Sequence, residues 1–240
     1  MSVFPGVMWI GLGVMGSPMS ENLVEAGYHV TGFALEQAKL DRLAAVGGSV
    51  AGSITAAVRD ADVIIMMVPA SPQVEAVAYG PDGILAHALP GALLIDRSSI
   101  TPQTSIDLAQ AALAKGVRVL DAPVSGGDAR AVEAVLSIMV GGEQADFEAA
   151  KPLFNVIGGT VVRCGPHGSG QTAKAANQLI VKDLGTATPR PPARPARRCR
   201  AVPIGAVVAQ LVASLRAQGD GGLDHSALLR SVERLSGAQV

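Results

Sequence analysis

Hydrophobic residues between Val7 and Arg163 follow two alternating patterns. Continuous apolar runs, which predict buried parallel strands, lie at 7–10, 62–69, 92–96 and 117–120. Shorter runs at 28–33, 49–51, 136–140 and 160–163 predict further strands. Helical spacing separates them, and prolines at 72 and 102 occupy the favoured first helical position. Strands alternating with helices predict an α/β fold with a doubly wound, mostly parallel sheet whose ligand crevice lies at the carboxyl ends of the strands.

A glycine-rich turn follows the first predicted strand, and it reads Gly11-Leu12-Gly13-Val14-Met15-Gly16. In the G-x-G-x-x-G spacing, Gly11 permits the tight turn, Gly13 allows backbone to approach a pyrophosphate, and Gly16 lets the helix pack on its strand. Backbone N–H groups and the helix dipole then hold the phosphates. An ordinary structural turn is the alternative, but the strand–loop–helix–strand context favours a Rossmann-like site for NAD or NADP.

Ala34 stands at the end of the second predicted strand, where nicotinamide-binding folds usually carry an acid for the ribose hydroxyls. Glu36, two residues on, either reaches the ribose or is an acid of the first helical turn. No arginine for a 2′-phosphate follows. The preference between NAD and NADP is therefore open.

Other residues follow predicted strand ends, where the crevice is expected; they are Pro69, Ser99 and the run Ser125-Gly126-Gly127. Small residues in the stretch 121–127 can expose several N–H groups as an anion-binding nest, to which Ser125 adds a hydroxyl. An ordinary glycine turn explains the same spacing equally well.

Lys174 and Asn177 are three residues apart in a predicted helix that begins near Gln171, so they share one helix face. Neighbouring alanines leave the lysine partly desolvated, which lowers its pKa and suits it to general acid–base catalysis. A solvated surface charge is the alternative.

Composition narrows the class of protein. The chain has 240 residues, 49% of them hydrophobic, and a net charge of −1, which predicts a sizeable core and no general attraction to nucleic acid or membranes. Its two cysteines fit no metal site or disulfide framework. No charged leader or membrane-length apolar run is present. These features predict a metal-free cytoplasmic protein.

Four motifs together resemble the β-hydroxyacid dehydrogenases, the family of 3-hydroxyisobutyrate dehydrogenase and tartronate semialdehyde reductase. They are the stretches 11–23, 121–127 and 168–178 and the Lys-Asp-Leu at 182–184. The details are most similar to the tartronate semialdehyde reductases. The resemblance implies a small hydroxy or oxo acid as substrate and Lys174 as the general acid. It further implies that Ser125, Gly126, Gly127 and Asn177 bind the substrate, and that Ser99 and Lys182 contact the cofactor.

The C-terminal part departs from that family. The resemblance implies residues 1–164 as the dinucleotide-binding domain and 165–240 as a shortened helical domain for substrate binding and dimerisation. Only eight positions separate Lys174 from Lys182, where the family has most of a helical bundle. Lys182 therefore either folds back to the cofactor or continues on the Lys174 helix, and a homo-oligomer would be weakened.

An Arg- and Pro-rich segment at 189–200 interrupts the family pattern. It is a disordered linker, a phosphate-binding arm that lacks aromatic residues, or the product of two compensating frameshifts with a deletion, the origin we favour. Three functions remain: reduction of tartronate semialdehyde to glycerate, a sibling reaction on 3-hydroxyisobutyrate or another semialdehyde, and a catalytically impaired dinucleotide-binding remnant.

Overall fold

The computed structural model describes residues 5–187. The strands are β1 (Gly6–Ile10), β2 (His29–Phe33), β3 (Ser49–Val50), β4 (Val63–Met66), β5 (Leu93–Asp96), β6 (Arg118–Asp121), β7 (Val124–Ser125), β8 (Leu136–Gly142) and β9 (Gly158–Gly165). The helices are α1 (Gly16–Glu25), α2 (Gln37–Ala45), α3 (Ile54–Val58), α4 (Ser71–Tyr79), α5 (Ile84–His87), α6 (Pro102–Leu113), α7 (Gly127–Val132), α8 (Gln144–Ile157) and α9 (Ser169–Ala187).

One sheet contains the described strands, in the order β3-β2-β1-β4-β5-β6-β8-β7, with β9 paired to β8. Pairing is parallel from β3 to β6. Strand β8 runs antiparallel to β6 and β7 and parallel to β9. The chain reverses its strand order between β1 and β4, which is the switch point where open α/β sheets bind ligands. The predicted doubly wound, mostly parallel α/β fold is confirmed.

The core lies on both faces of this sheet. Val7 and Trp9 of β1 belong to one buried cluster, and Met8 and Ile10 belong to the other. Side chains of a strand alternate between faces, so a continuous apolar run can fill two cores only when helices cover both sides. Helix α1 and helix α8 contribute to the first cluster, while α4 and α6 contribute to the second.

Several elements were absent from the sequence prediction: α3, α5, α7, α8 and the short strand β7. Helix α8 is amphipathic and buries Phe147, Leu153 and Phe154 although Pro152 lies inside it. Helix α6 begins as predicted, because the side chain of Thr101 accepts a hydrogen bond of 3.1 Å from the N–H of Thr104 and caps the first turn.

The chain divides into two compact units, Met1–Lys174 and Ala175–Val240. The boundary predicted from the sequence lies earlier, between residues 164 and 165, at the end of β9 rather than within α9. The segment 189–200 and the predicted shortened helical domain beyond residue 187 lie outside the described residues. Within the described part of the chain, no helix has both the length and the hydropathy to cross a membrane.

Candidate active site

A cleft of about 760 Å³ opens at the carboxyl ends of β1, β2, β4 and β5. The turn after β1 forms its floor, and the loops after β4 and β5 form one wall. All the residues from Gly11 to Gly16 line the cleft, as do Pro69 and Ser99. The structure thus brings together eight of the residues that the sequence assigns to the cofactor.

The turn after β1 is shaped by glycines that admit no side chain. Gly11 has φ of 96°, and a Cβ added there would lie 2.1 Å from the carbonyl oxygen of Met67. A Cβ on Gly16 would lie 2.0 Å from the carbonyl oxygen of Gly11. The indole N–H of Trp9 donates to that same oxygen over 3.1 Å. Backbone packing therefore holds this turn in one conformation.

Gly13 differs from its neighbours, because a Cβ added there would meet no atom within 4 Å. It lines the cleft, so the space beside its backbone is open to a ligand. Helix α1 begins at Gly16 without a side-chain cap from Met15, so the side chain at its N-cap position does not compete with a ligand for the backbone there. The space beside the Gly13 backbone, at an uncapped helix start, fits the pyrophosphate of a dinucleotide.

Four residues after β2 form the far end of the cleft: Ala34, Leu35, Glu36 and Lys39. Ala34 supplies no carboxylate, and 96% of Leu35 is exposed. Glu36 and Lys39 place opposite charges at this end. This end of the cleft therefore offers a carboxylate for ribose hydroxyls and an ammonium group for a 2′-phosphate, which fits NAD or NADP.

Two buried carboxyl groups end the neighbouring strands β5 and β6. Asp96 is 1% exposed and its Oδ1 accepts a hydrogen bond of 2.9 Å from the N–H of Ser98, while its Oδ2 has no partner in the described part of the chain. Burial raises the pKa of Asp96 to about 7, and the negative charge of Asp121 adds to this effect.

Asp121 fixes the beginning of helix α9. Its Oδ1 accepts from the N–H of Gly168 over 2.8 Å, and its Oδ2 accepts from the N–H of Gln171 over 3.1 Å. Burial raises the pKa of Asp121, while these hydrogen bonds and the nearby His167 oppose the rise. The carboxyl group satisfies backbone donors that the first turn of a helix otherwise leaves free.

The side chain of Gln171 joins the same turn to the loop after β5. Its Nε2 donates to the carbonyl oxygen of Ser98 over 2.7 Å, and its Oε1 accepts from the N–H of Ile100 over 3.2 Å. Ser98 also lines the cleft. The helix that carries the candidate catalytic lysine is therefore bonded to a wall of the candidate cofactor site.

Lys174 lies one turn after Gln171 and is 9% exposed. Burial lowers its pKa, so the predicted desolvation is confirmed. Asn177 follows on the same helix and belongs to the second unit. Lys182 also continues on α9, which is the second of the two alternatives drawn from the sequence. Its side chain lies outside the described residues.

Ser125, Gly126 and Gly127 form the turn between β7 and α7 and do not line the cleft. Gly126 has φ of 145° and Gly127 has φ of 79°. Backbone of this kind favours glycine. A substrate-binding nest in this turn stays a prediction.

Sequence reasoning assigned no role to Asp96, Arg97, Ser98, Asp121 and Gln171. Arg97 is 1% exposed, its three guanidinium nitrogens have no hydrogen-bond partner among the described residues, and its Cζ lies 5.5 Å from the ring centroid of Phe154. Burial lowers the pKa of Arg97 to about 9. The sequence signal that could have identified Asp96 and Asp121 is a carboxyl residue at the end of an apolar run, because each of them ends a predicted strand.

Residues 6–165 match the family described as the NAD binding domain of 6-phosphogluconate dehydrogenase. The chain is 45% identical over 183 residues to the NAD-dependent L-serine dehydrogenase of Pseudomonas aeruginosa, covering 75% of this chain and 61% of that protein. It is 45% identical over 175 residues to the 2-hydroxy-3-oxopropionate reductase of Escherichia coli, covering 72% of this chain and 59% of that protein.

Among solved structures, 3-hydroxyisobutyrate dehydrogenase of Mycobacterium tuberculosis with L-serine is similar, with a TM-score of 0.72 and 30% identity. That match covers 99% of this chain and 72% of the other. The chain thus spans 61% and 59% of the lengths of the two curated relatives.

Proposed function

This chain belongs to the family of the NAD binding domain of 6-phosphogluconate dehydrogenase, and we propose that it is an NAD(P)-dependent reductase of a small 2-hydroxy-3-oxo acid. The reaction is the reduction of tartronate semialdehyde to glycerate. The resemblance to the β-hydroxyacid dehydrogenases, supported by relatives such as 2-hydroxy-3-oxopropionate reductase, suggests this substrate.

The buried position of Lys174 carries the proposal. Lys174 is 9% exposed, and burial lowers its pKa. Its ammonium group therefore releases a proton more readily than that of a surface lysine. In the reduction, Nζ of Lys174 donates that proton to the carbonyl oxygen of the substrate, which becomes the new hydroxyl group. The neutral amine then recovers a proton from solvent.

Residues of the cleft would hold the dinucleotide. The open space at Gly13 and the uncapped start of α1 suit its pyrophosphate, and Pro69 and Ser99 border the same space. The bound nicotinamide supplies the hydride that the carbonyl carbon accepts. Lys182 stays a proposed cofactor contact from the resemblance alone.

The resemblance supplies the remaining site residues. Ser125, Gly126 and Gly127 would bind the substrate carboxylate through backbone N–H groups and a hydroxyl, and Asn177 would bind the substrate hydroxyl. A homo-oligomer and a cytoplasmic location also remain predictions.

Oxidation of a β-hydroxy acid is the second candidate. One relative is named an NAD-dependent L-serine dehydrogenase, and one similar structure contains L-serine. L-serine and 3-hydroxyisobutyrate both carry a hydroxyl group on the carbon β to a carboxylate. In that direction neutral Lys174 would accept the proton of the hydroxyl group, and the oxidised nicotinamide would accept the hydride from the hydroxyl-bearing carbon. A third candidate is dinucleotide binding without turnover, because only eight positions separate Lys174 from Lys182 where the resembled family has most of a helical bundle.

One experiment separates these candidates. NADH and NADPH binding would be measured by calorimetry, and turnover would be measured with tartronate semialdehyde, 3-hydroxyisobutyrate and L-serine. Lys174→Met would be compared with Lys115→Met, which alters an exposed lysine outside the cleft. We expect Lys174→Met to abolish turnover while cofactor binding persists. Cofactor binding without wild-type turnover would leave the third candidate, and turnover that survives in Lys174→Met would refute the catalytic role.

A further inference from the structure

We propose that Gln171 is a positioning residue that couples occupation of the cofactor cleft to the placement of Lys174. This inference rests on the proposed function. Gln171 would fix the first turn of α9 to the loop after β5, so that the lysine and the cleft wall keep one relative position.

Gln171 is 2% exposed and makes three hydrogen bonds. Its side chain donates to the carbonyl oxygen of Ser98 over 2.7 Å and accepts from the N–H of Ile100 over 3.2 Å. Its own N–H donates to Asp121 over 3.1 Å. The primary amide is the neutral side chain that presents one donor and one acceptor in this fork, so leucine would lose both bonds and ionised glutamate would lose the donor.

Lys174 follows Gln171 by three residues on a continuous helix. Residues at this spacing lie on neighbouring positions of one helix face, about 4.5 Å apart along the axis. Because the hydrogen-bonded turn between them is stiff, a shift or rotation at Gln171 moves the Cα atom of Lys174 by a similar amount. Proton transfer is sensitive to such shifts, since a misplacement of about 1 Å can cost roughly a hundredfold in rate.

The loop held by Gln171 belongs to the cleft. Ser98 and Ser99 line it, and the hydroxyl oxygen of Ser98 accepts from the N–H of Val68 over 2.9 Å. Val68 lines the cleft as well. A ligand that contacts either the loop after β4 or the loop after β5 would therefore restrain the loop after β5, to which Gln171 is bonded.

The alternative is that Gln171 only satisfies two buried backbone groups. Hydrogen exchange with mass spectrometry distinguishes the two roles. It measures protection of the amides of Thr172, Ala173 and Lys174 with and without saturating NADH, independently of activity. The variants are Gln171→Leu and Gln171→Glu, and the matched control is Gln110→Ala, an exposed glutamine of α6.

We expect NADH to increase protection of these amides in the wild type and in Gln110→Ala but not in Gln171→Leu, although Gln171→Leu still binds NADH. An equal rise in protection in Gln171→Leu would overturn the proposal. So would a wild type in which NADH does not change the protection of these α9 amides. The proposal can still be tested if Gln171→Leu does not fold, because Gln171→Glu regains a hydrogen-bond donor when its carboxyl group is protonated. Its NADH-dependent protection is therefore expected to fall as the pH rises through the pKa of the introduced carboxyl group, which burial raises.

Kinetics supply the second readout. We expect Gln171→Leu to lower kcat roughly tenfold or more while the KM for NADH changes little. The alkaline limb of the pH–rate profile is also expected to shift. Parallel losses in kcat, cofactor affinity and melting temperature would indicate a merely structural role. Absence of turnover in the wild type, with the NADH-dependent protection intact, would refute the proposed function and leave the coupling in place.

Discussion

Asp96 and Asp121 are register partners on the parallel strands β5 and β6, and each is 1% exposed. Asp121 has two backbone donors on its carboxylate, whereas Oδ2 of Asp96 has none. Burial therefore raises the pKa of both carboxyl groups, and the hydrogen bonds from the N–H groups of Gly168 and Gln171 oppose the rise at Asp121.

The stability of the protein is expected to depend on pH through Asp96. Burial raises the pKa of Asp96 from its ordinary value of 3.8 to about 7 in the folded chain. Between these values the folded state keeps a proton that the unfolded state has lost, so the free energy of unfolding falls as pH rises, by up to about 4 kcal/mol. Urea unfolding at about pH 5 and about pH 7 measures this change. We expect the free energy of unfolding to decrease less in Asp96→Asn than in the wild type. The control Asp60→Asn, at an exposed site, is expected to behave as the wild type. Equal slopes in Asp96→Asn and wild type would contradict the assignment.

Gly13 and Gly16 are expected to respond differently to alanine. A methyl group at Gly13 meets no protein atom within 4 Å and would occupy cleft space, whereas at Gly16 it would lie 2.0 Å from the carbonyl oxygen of Gly11. Gly13→Ala is expected to weaken NADH binding about tenfold or more with an unchanged melting temperature. Gly16→Ala is expected to destabilise the fold by about 1–3 kcal/mol. Calorimetric titration and thermal unfolding check the pair, and NADH affinity preserved in Gly13→Ala would argue against this location of the pyrophosphate.

Replacement of Arg97 by methionine is expected to stabilise the protein. The substitution removes a buried cation whose guanidinium nitrogens have no hydrogen-bond partner within residues 5–187. It also removes a cation–π contact with Phe154 worth about 1–2 kcal/mol. The free energy of unfolding of Arg97→Met is therefore expected to exceed that of the wild type by about 1–3 kcal/mol at neutral pH. Because burial lowers the pKa of Arg97 to about 9, the wild type regains stability as pH rises above this value, and the gain shrinks.

Urea unfolding of Arg97→Met beside Arg59→Met, which changes an exposed arginine, provides the measurement. A destabilised Arg97→Met together with a neutral Arg59→Met would mean that the guanidinium contributes a favourable interaction.

Cofactor preference is expected to change at Ala34, which lines the far end of the cleft without a carboxylate. Ala34→Asp places an acid where the fold binds ribose hydroxyls, and its charge repels a 2′-phosphate. We expect the ratio of NADPH to NADH affinity to fall about tenfold. Ala145→Asp adds the same charge in the first turn of α8, outside the cleft, and is expected to leave the ratio unchanged. An unaltered ratio in Ala34→Asp would place the ribose elsewhere.

Periodicity in the sequence predicted the central strands because β1, β4, β5 and β6 are apolar on both faces. The same signal could not reveal the direction of β8, since antiparallel pairing with β6 and β7 depends on tertiary contacts rather than on the apolar run itself. The helices α3 and α5 were missed because they have five and four residues, too few for a helical period to be recognised.

The floor of the candidate site was predictable because glycine spacing reports backbone sterics directly. Gln171 was not, since its role depends on the carbonyl oxygen of Ser98 and the N–H of Ile100, which lie 73 and 71 residues away along the chain. Asp121 lies 50 residues from Gln171 for the same reason. Only the folded sheet brings these groups together.

The chain contains a single tryptophan, and the bond from its indole N–H to the carbonyl oxygen of Gly11 places it beneath the glycine turn. Tryptophan emission overlaps the absorption of a reduced nicotinamide, and the wavelength of the emission maximum depends on the polarity around the indole. Trp9 is therefore a native optical probe at the floor of the cleft. Its quenching can report occupancy without a dye, and its emission maximum can report whether the turn keeps its conformation in each variant.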